Sequence, residues 1–205
     1  MGKYKNLYTK EYFEKYACIC LNDVLKLNLI LRETRYGEDR PDLISDDEKI
    51  GLEVTQAITT EEGAENKLFQ QEYPEENKIE CIKNEAKRLK IEDRIKYHDN
   101  YITITENSSI DFVKNKIIDR INSKNKKLNN KEFHKYESNR LCLIIETFND
   151  YVIEALNKYY KTRDLSYEFF YDTIYVINGE YLLIFESGTL KDKIKIRFYI
   201  DDASK

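Results

Sequence analysis

The chain has 205 residues, of which 41% are hydrophobic and 35% charged with both signs interspersed, and its formal charge is −4. That balance is the composition of a folded protein and excludes a non-specific nucleic-acid coat protein, although a local basic groove stays compatible with it. No apolar run reaches the roughly 18 residues that a membrane span needs.

The start, MGKYKNLYTK, lacks the apolar core of a leader and has Asn6 where a myristoylation signal needs Ser or Thr. Cys18, Cys20, Cys81 and Cys142 show no CxxC spacing, so neither a zinc ribbon nor a disulfide framework is expected. Both observations point to a cytoplasmic protein with no membrane partner.

Residues 10 to 32 read as one amphipathic helix, because Tyr12, Phe13, Tyr16, Cys20, Val24, Leu27 and Ile30 recur at three- and four-residue steps. RYGEDRP closes it, and DLIS and KIGLEVTQA follow as two strands around the acidic turn DDE. Residues 60 to 96 are charged and helical in pattern, interrupted at Pro74, and form the helical insertion expected within a single domain of 205 residues. YITIT (101 to 105) alternates as a short strand. Ser108 and Asp111 then stand at capping-box spacing before a helix with Ile110, Val113, Ile117 and Ile121 on one face.

LCLIIET (141 to 147) is a continuous apolar run, the pattern of a strand covered on both sides. A helix from about Asp150 to Lys161 comes next, then a hairpin, DTIYVINGEYLLIF, with Asn178-Gly179 in a type I′ turn, and IKIRFYI as the last strand. The order predicts an α/β fold with a mixed β-sheet flanked by helices.

Chemistry is concentrated between residues 41 and 55. Alternation along a strand sets Gly51, Glu53 and Thr55 on one face and turns Leu52 and Val54 toward the helical layer. Asp42, after Pro41, opens the partner strand, so two carboxylates come within reach of one ion. Without a cation they would repel and one would take up a proton. Hard oxygen donors suit Mg²⁺ or Mn²⁺, which beside a phosphodiester lowers the pKa of an attacking water and neutralises phosphate charge.

Pro41-Asp42, followed on the next strand by Glu53-Val54, resembles the PD-(D/E)xK nuclease superfamily. Residues 10 to 147 also follow its element order of helix, motif hairpin, later helix and buried strand. The resemblance implies a restriction-endonuclease-like core and metal-dependent hydrolysis of phosphodiester bonds in DNA. It implies Asp42 and Glu53 as metal ligands, with Glu14 of the first helix completing the site and Glu11 a weaker alternative. A homodimer is the arrangement that would let such an enzyme cut both strands.

One motif position departs from the pattern, since Thr55 stands where the family has lysine. Loss of one preorganised donor of this kind costs about 10²–10³ in rate. Thr55 assisted by Gln56, or a charge from Lys67 in the next segment, are the two compensations considered; Lys49 shares the face of Glu53 but sits at the turn. The alternative function is a catalytically degenerate nuclease-fold module that binds a protein partner or nucleic acid. In a third reading Asp42 is a turn residue, Glu53 a solvated edge-strand glutamate, and the two do not converge.

Lys116, Arg120, Lys124, Lys126, Lys127 and Lys131 form a basic stretch that is either a solvated helix face or, under the nuclease reading, a phosphate-tracking surface. Arg32, Arg35 and Arg40 flank the motif and could contact a backbone or pair with Glu33, Glu38 and Asp39. His98 and His134 are isolated, and Tyr159, Tyr160, Phe169 and Phe170 read as packing residues.

Overall fold

The first helix, α1 (Lys10–Leu25), starts where the Thr9 hydroxyl accepts from the Tyr12 N–H at 3.2 Å. In this computed structural model the described residues are 9–32, 40–57, 65, 68, 73–98, 102–104, 109–145, 147–163 and 169–199. The chain divides into two compact units, one of Met1–Ala57 with Lys114–Lys205 and one of Ile58–Val113.

Helix α1 ends earlier than its apolar pattern predicts. Lys26 turns into the left-handed region at φ 54°, as does Asn28 at φ 51°. The Asn22 side chain then takes both backbone groups of Leu29, accepting from its N–H at 2.6 Å and donating to its carbonyl at 2.8 Å. Leu29–Leu31 is therefore strand β1, and Leu27 and Ile30 kept a helical spacing that the backbone does not follow.

In the first unit seven strands form one mixed sheet. These are β1, β2 (Leu43–Ser45), β3 (Ile50–Gln56), β6 (Ser138–Ile145), β7 (Thr173–Asn178), β8 (Tyr181–Glu186) and β9 (Thr189–Lys195), in that spatial order. The β2–β3 hairpin is antiparallel, whereas β3, β6 and β7 run parallel, with Glu53 opposite Leu141. The parallel strands need crossovers, and helices supply them: α3 (Ile110–Asn125) precedes β6, and α4 (Asn149–Thr162) joins β6 to β7.

Leu52 and Val54 pack with Phe13, Ala17 and Leu21 of α1, which is the face the alternation assigned to the helical layer. Gly51, on the opposite face, has room for no side chain. A Cβ there would lie 2.7 Å from Tyr136 Cδ2 and 2.9 Å from Pro41 Cγ.

Three other local expectations change. The β7–β8 loop is Gly179-Glu180, since Asn178 pairs with Tyr181, and Gly179 at φ 56° takes the first central position as in a type II′ turn. Asn178 is spent elsewhere, accepting from the Thr147 N–H and donating to Asn149 Oδ1. The last strand begins at Thr189 and ends at Lys195, ahead of most of IKIRFYI. At α3 the cap is Ser109, whose hydroxyl accepts from the Phe112 N–H; Ser108 lies outside the described residues.

In the second unit, α2 (Lys78–Arg88) follows Pro74 and a turn of 3-10 helix, with Ile82 and Ala86 buried. The helical reading fails at its end, because Ile95–Tyr97 is strand β4, paired antiparallel with β5 (Ile102–Ile104). Leu68, Ile82, Ala86, Ile91 and Ile95 make this unit's core.

The cysteines are free. Cys18, Cys20 and Cys142 are buried in the first unit and Cys81 is half-buried in the second. No helix among the described residues is long and apolar enough to cross a membrane.

Candidate functional site

Pro41 keeps the chain extended into β2, and Asp42 closes the open mouth of the hairpin. Its Oδ2 accepts from the Val54 N–H at 2.8 Å, and the Lys10 ammonium lies 2.9 Å from its Oδ1. The same ammonium is 3.0 Å from Glu14 Oε1, one helical turn along α1. Asp42 and Glu14 are therefore bridged by Lys10 at the first turn of that helix.

Glu53 belongs to the opposite face of β3 and is 0% exposed. A lone buried carboxylate of this kind is costly, and the structure compensates it with two ammonium groups. Lys124 Nζ, from the end of α3, donates to Glu53 Oε1 at 2.5 Å, and Lys127 Nζ, from the following 3-10 turn, donates to the same oxygen at 2.7 Å. Oε2 has no hydrogen-bond partner among the described residues. The Tyr171 hydroxyl donates to the Lys124 carbonyl at 3.2 Å and fixes the end of the helix.

These groups share one electrostatic field. Burial pushes the Asp42 carboxyl up, but the Val54 N–H, Lys10 and the charge of Lys124 outweigh it and hold the group below its ordinary value. Glu14 goes the other way, up from 4.5 to about 7, through burial first and the neighbouring Asp42 second. Burial works against the Lys10 ammonium, yet Asp42 and Glu14 hold it charged and raise its pKa. Tyr171 is raised by burial and then by the charges of Glu53 and Asp42, which places both carboxylates within its surroundings.

The sequence-derived site is changed in its connections. Asp42 and Glu53 both act on Tyr171, and each carboxylate is paired with lysine, Lys10 on Asp42 and Glu14, Lys124 and Lys127 on Glu53. No group of three or more His, Cys, Asp or Glu side chains among the described residues is arranged to hold a metal. The Thr55 hydroxyl donates to the adjacent Gln56 carbonyl at 3.4 Å. Lys49 pairs with Glu137 at 3.8 Å, Arg40 with Glu132 at 3.6 Å, and Glu11 is exposed. Lys67 and Arg35 lie outside the described residues.

Lys124 and Lys127, expected on a phosphate-tracking surface, lie on Glu53, whereas Lys126 is exposed and Lys116 and Arg120 are half-buried. One sequence signal does mark Lys124. It follows the buried Ile117 and Ile121 at steps of four and three, so it sits on the helix face that turns inward.

Compared with protein-family models, with curated proteins and with solved structures, the chain matches none.

Proposed function

We propose that the chain is a metal-dependent nuclease of restriction-endonuclease-like fold, acting on phosphodiester bonds in DNA. Asp42 and Glu53 would hold Mg²⁺ or Mn²⁺ with Glu14 beside them. Lys124 takes the place of the lysine missing at Thr55. The observation that carries this reading is the buried Glu53, with one oxygen on two ammonium groups and the other without a partner among the described residues. A purely structural glutamate in a sheet core would have both oxygens satisfied.

Carboxylate oxygens are the donors a hard cation takes, but here lysine ammonium groups occupy them, so a cation would have to share the site with Lys10, Lys124 and Lys127. Burial first and the charge of Asp42 second raise Glu14, and Glu53 Oε2 has no hydrogen-bond partner among the described residues, two features that such a cation would relieve. When bound, the ion supplies a water of lowered pKa and neutralises phosphate charge. The chain's own residues do the rest. Lys124, at 13% side-chain exposure, presents a positive charge in a place mostly shielded from water, where it acts more strongly on developing negative charge than it would in solvent. The Val54 N–H fixes the Asp42 carboxylate in position. Glu14, ionising at about 7, can take up or release a proton beside Asp42 near neutrality. The element order of α1, the β2–β3 hairpin, α3 and the buried β6 supports the fold reading.

A degenerate module that binds nucleic acid or a protein is the second reading, favoured by the fact that Glu53 is already neutralised by lysine. Mn²⁺ titration followed by water-proton relaxation separates the two. The nuclease reading expects a relaxation enhancement that Asp42→Asn and Glu53→Gln abolish, together with loss of Mg²⁺-dependent plasmid nicking. Wild-type protein without any enhancement, or variants that keep it in full, would end the metal-site reading.

A further inference from the structure

Of the four aromatic residues expected to pack, Tyr159 is 2% exposed but Phe169 is 36% exposed. The Phe169 ring lies against the exposed His134 imidazole, with centroids 4.4 Å apart and planes 38° from each other. That pair is held in place. His134 Nε2 is 2.9 Å from the Leu128 carbonyl, which can only accept, so Nε2 carries a proton and the ring plane is fixed. Leu128 and His134 belong to consecutive 3-10 turns, Lys126–Asn129 and Phe133–Lys135. The Phe133 N–H donates to the Asn130 carbonyl at 3.0 Å between them, and the Phe133 ring, at 0% exposure, anchors the second turn. One exposed ring is ordinary on a protein surface. Two rings fixed against each other in solvent are a preformed flat surface, which binds at little cost in ordering.

We propose that His134 and Phe169 form a stacking platform for an unpaired base of a single DNA strand, whose phosphates are met by Lys126 and Lys131. Charge argues for this occupant. Lys126 and Lys131 are exposed, stand in the same loop as His134 and have no ion-pair partner among the described residues. The acids nearby in sequence are engaged, Glu132 with Lys135 at 2.7 Å and Arg40 at 3.6 Å, and Glu137 with Lys49 at 3.8 Å. Asp172 accepts from the Asn139 N–H at 3.0 Å. On a chain of formal charge −4, the surplus in this loop is therefore local and positive. Positive charge beside exposed rings suits a single strand, because every base has a face to stack on whereas a duplex keeps those faces inside. An apolar protein surface would leave the two lysines unanswered. The choice of DNA rests on the proposed function above, and no metal ion takes part in the contact.

The test uses the full chain in EDTA with a short oligo-dT strand and an abasic strand of the same length, their binding followed by fluorescence anisotropy across a salt series. Wild type should bind oligo-dT about tenfold more tightly than the abasic strand, the effect of one stacked base. Phe169→Ala should lose that preference and keep its salt dependence. Phe169→Leu, which retains apolar area without the ring, should behave in the same way. Phe169→Trp should keep the preference, with the indole fluorescence quenched by the strand. Lys126→Met combined with Lys131→Met should do the converse, flattening the salt dependence by about 1.4 in slope, two phosphate contacts on a single strand, while the preference for bases stays. All three positions are exposed, so each variant should unfold thermally as wild type does.

Equal binding of the two strands by wild type, or no binding of either, overturns the platform. Neither result touches the metal-site reading, which Mn²⁺ relaxation decides separately. A Phe169→Ala variant that keeps the full preference overturns the platform as well. Tighter binding of oligo-rU than of oligo-dT would overturn the choice of DNA. A dimer in sedimentation that Phe169→Ala dissociates would give the rings to a second copy of this chain and end the proposal.

Discussion

The two faces of strand β3 are buried equally and by opposite means. On one, Leu52 at 0% and Val54 at 4% exposure lie against α1, and their stability comes from apolar area removed from water. On the other, Glu53 at 0% is compensated by ammonium groups 71 and 74 residues further along the chain. Desolvating three charges consumes most of what their pairing gains, so the second face contributes little net stability for its burial. Depth in the sheet therefore says nothing about purpose. An apolar residue is buried because burial stabilises it, whereas a buried, compensated carboxylate needs another reason to be there.

Removing Glu53 is the sharpest way to break this contrast. Glu53→Ala leaves two ammonium groups facing a buried position without their acceptor, and stability should fall by about 3–5 kcal/mol in urea unfolding. Leu52→Ala on the other face should cost a comparable 2–5 kcal/mol, roughly, by creating a cavity. The difference emerges on repair. Replacing Glu53, Lys124 and Lys127 together by Leu, Leu and Met should return stability to the wild-type level or above. A triple variant as unstable as Glu53→Ala would show that ion pairing holds this face after all.

A smaller effect is expected at Gly51, where the site face meets Tyr136 and Pro41. The Cβ of Gly51→Ala has no space between the two rings, and the strain should cost about 1–3 kcal/mol. An unchanged unfolding midpoint would mean that Tyr136 can move aside.

The smallest expected effect is a pH dependence from the α1 side of the site. Unfolded, Glu14 ionises at 4.5; folded, it keeps its proton to about 7, so the folded state binds more protons between these values. Its contribution therefore favours folding at low pH and declines as pH rises through that window. Asp42 acts with the opposite sign, its contribution being present above its unfolded value of 3.8 and lost as pH falls through the lower folded one. Glu14→Gln should flatten the stability profile between 4.5 and 7 and leave the acid limb in place. A profile identical to wild type would remove Glu14 from the coupled site.

Most of the sheet was legible in the sequence because its strands obey local rules. Alternation in β3 separated Leu52 and Val54 from Gly51 and Glu53, and the continuous apolar run marked β6 as covered on both sides. Where reading failed, a residue acted against its type. Lys26 and Asn28 adopt left-handed backbone that no periodicity reports, so α1 was drawn too long. The asparagine of Asn178-Gly179 was taken for a turn residue, whereas its amide is used by Thr147 and Asn149.

At the site, the carboxylates were legible and their partners were not. Lys10 reaches Asp42 from the start of α1, and Lys124 and Lys127 reach Glu53 from later in the chain than the whole second unit. Contacts at such separation are fixed by the fold and leave only a trace in spacing, which for Lys124 was its place after Ile117 and Ile121.

The distribution of thiols gives the molecule an internal gauge of its own opening. Burial pushes Cys20 up to about 12 and raises Cys18 and Cys142 as well, and all three sit in the first unit among apolar neighbours or under the sheet. Thiolate, the species that reacts with alkylating reagents, is scarce at such positions until the surroundings part. Cys81 lies half-buried on α2 in the other unit. Counting modified thiols by mass therefore tells the two units apart without any engineered label: one adduct marks the intact first unit, and the appearance of further adducts times its excursions from the folded state.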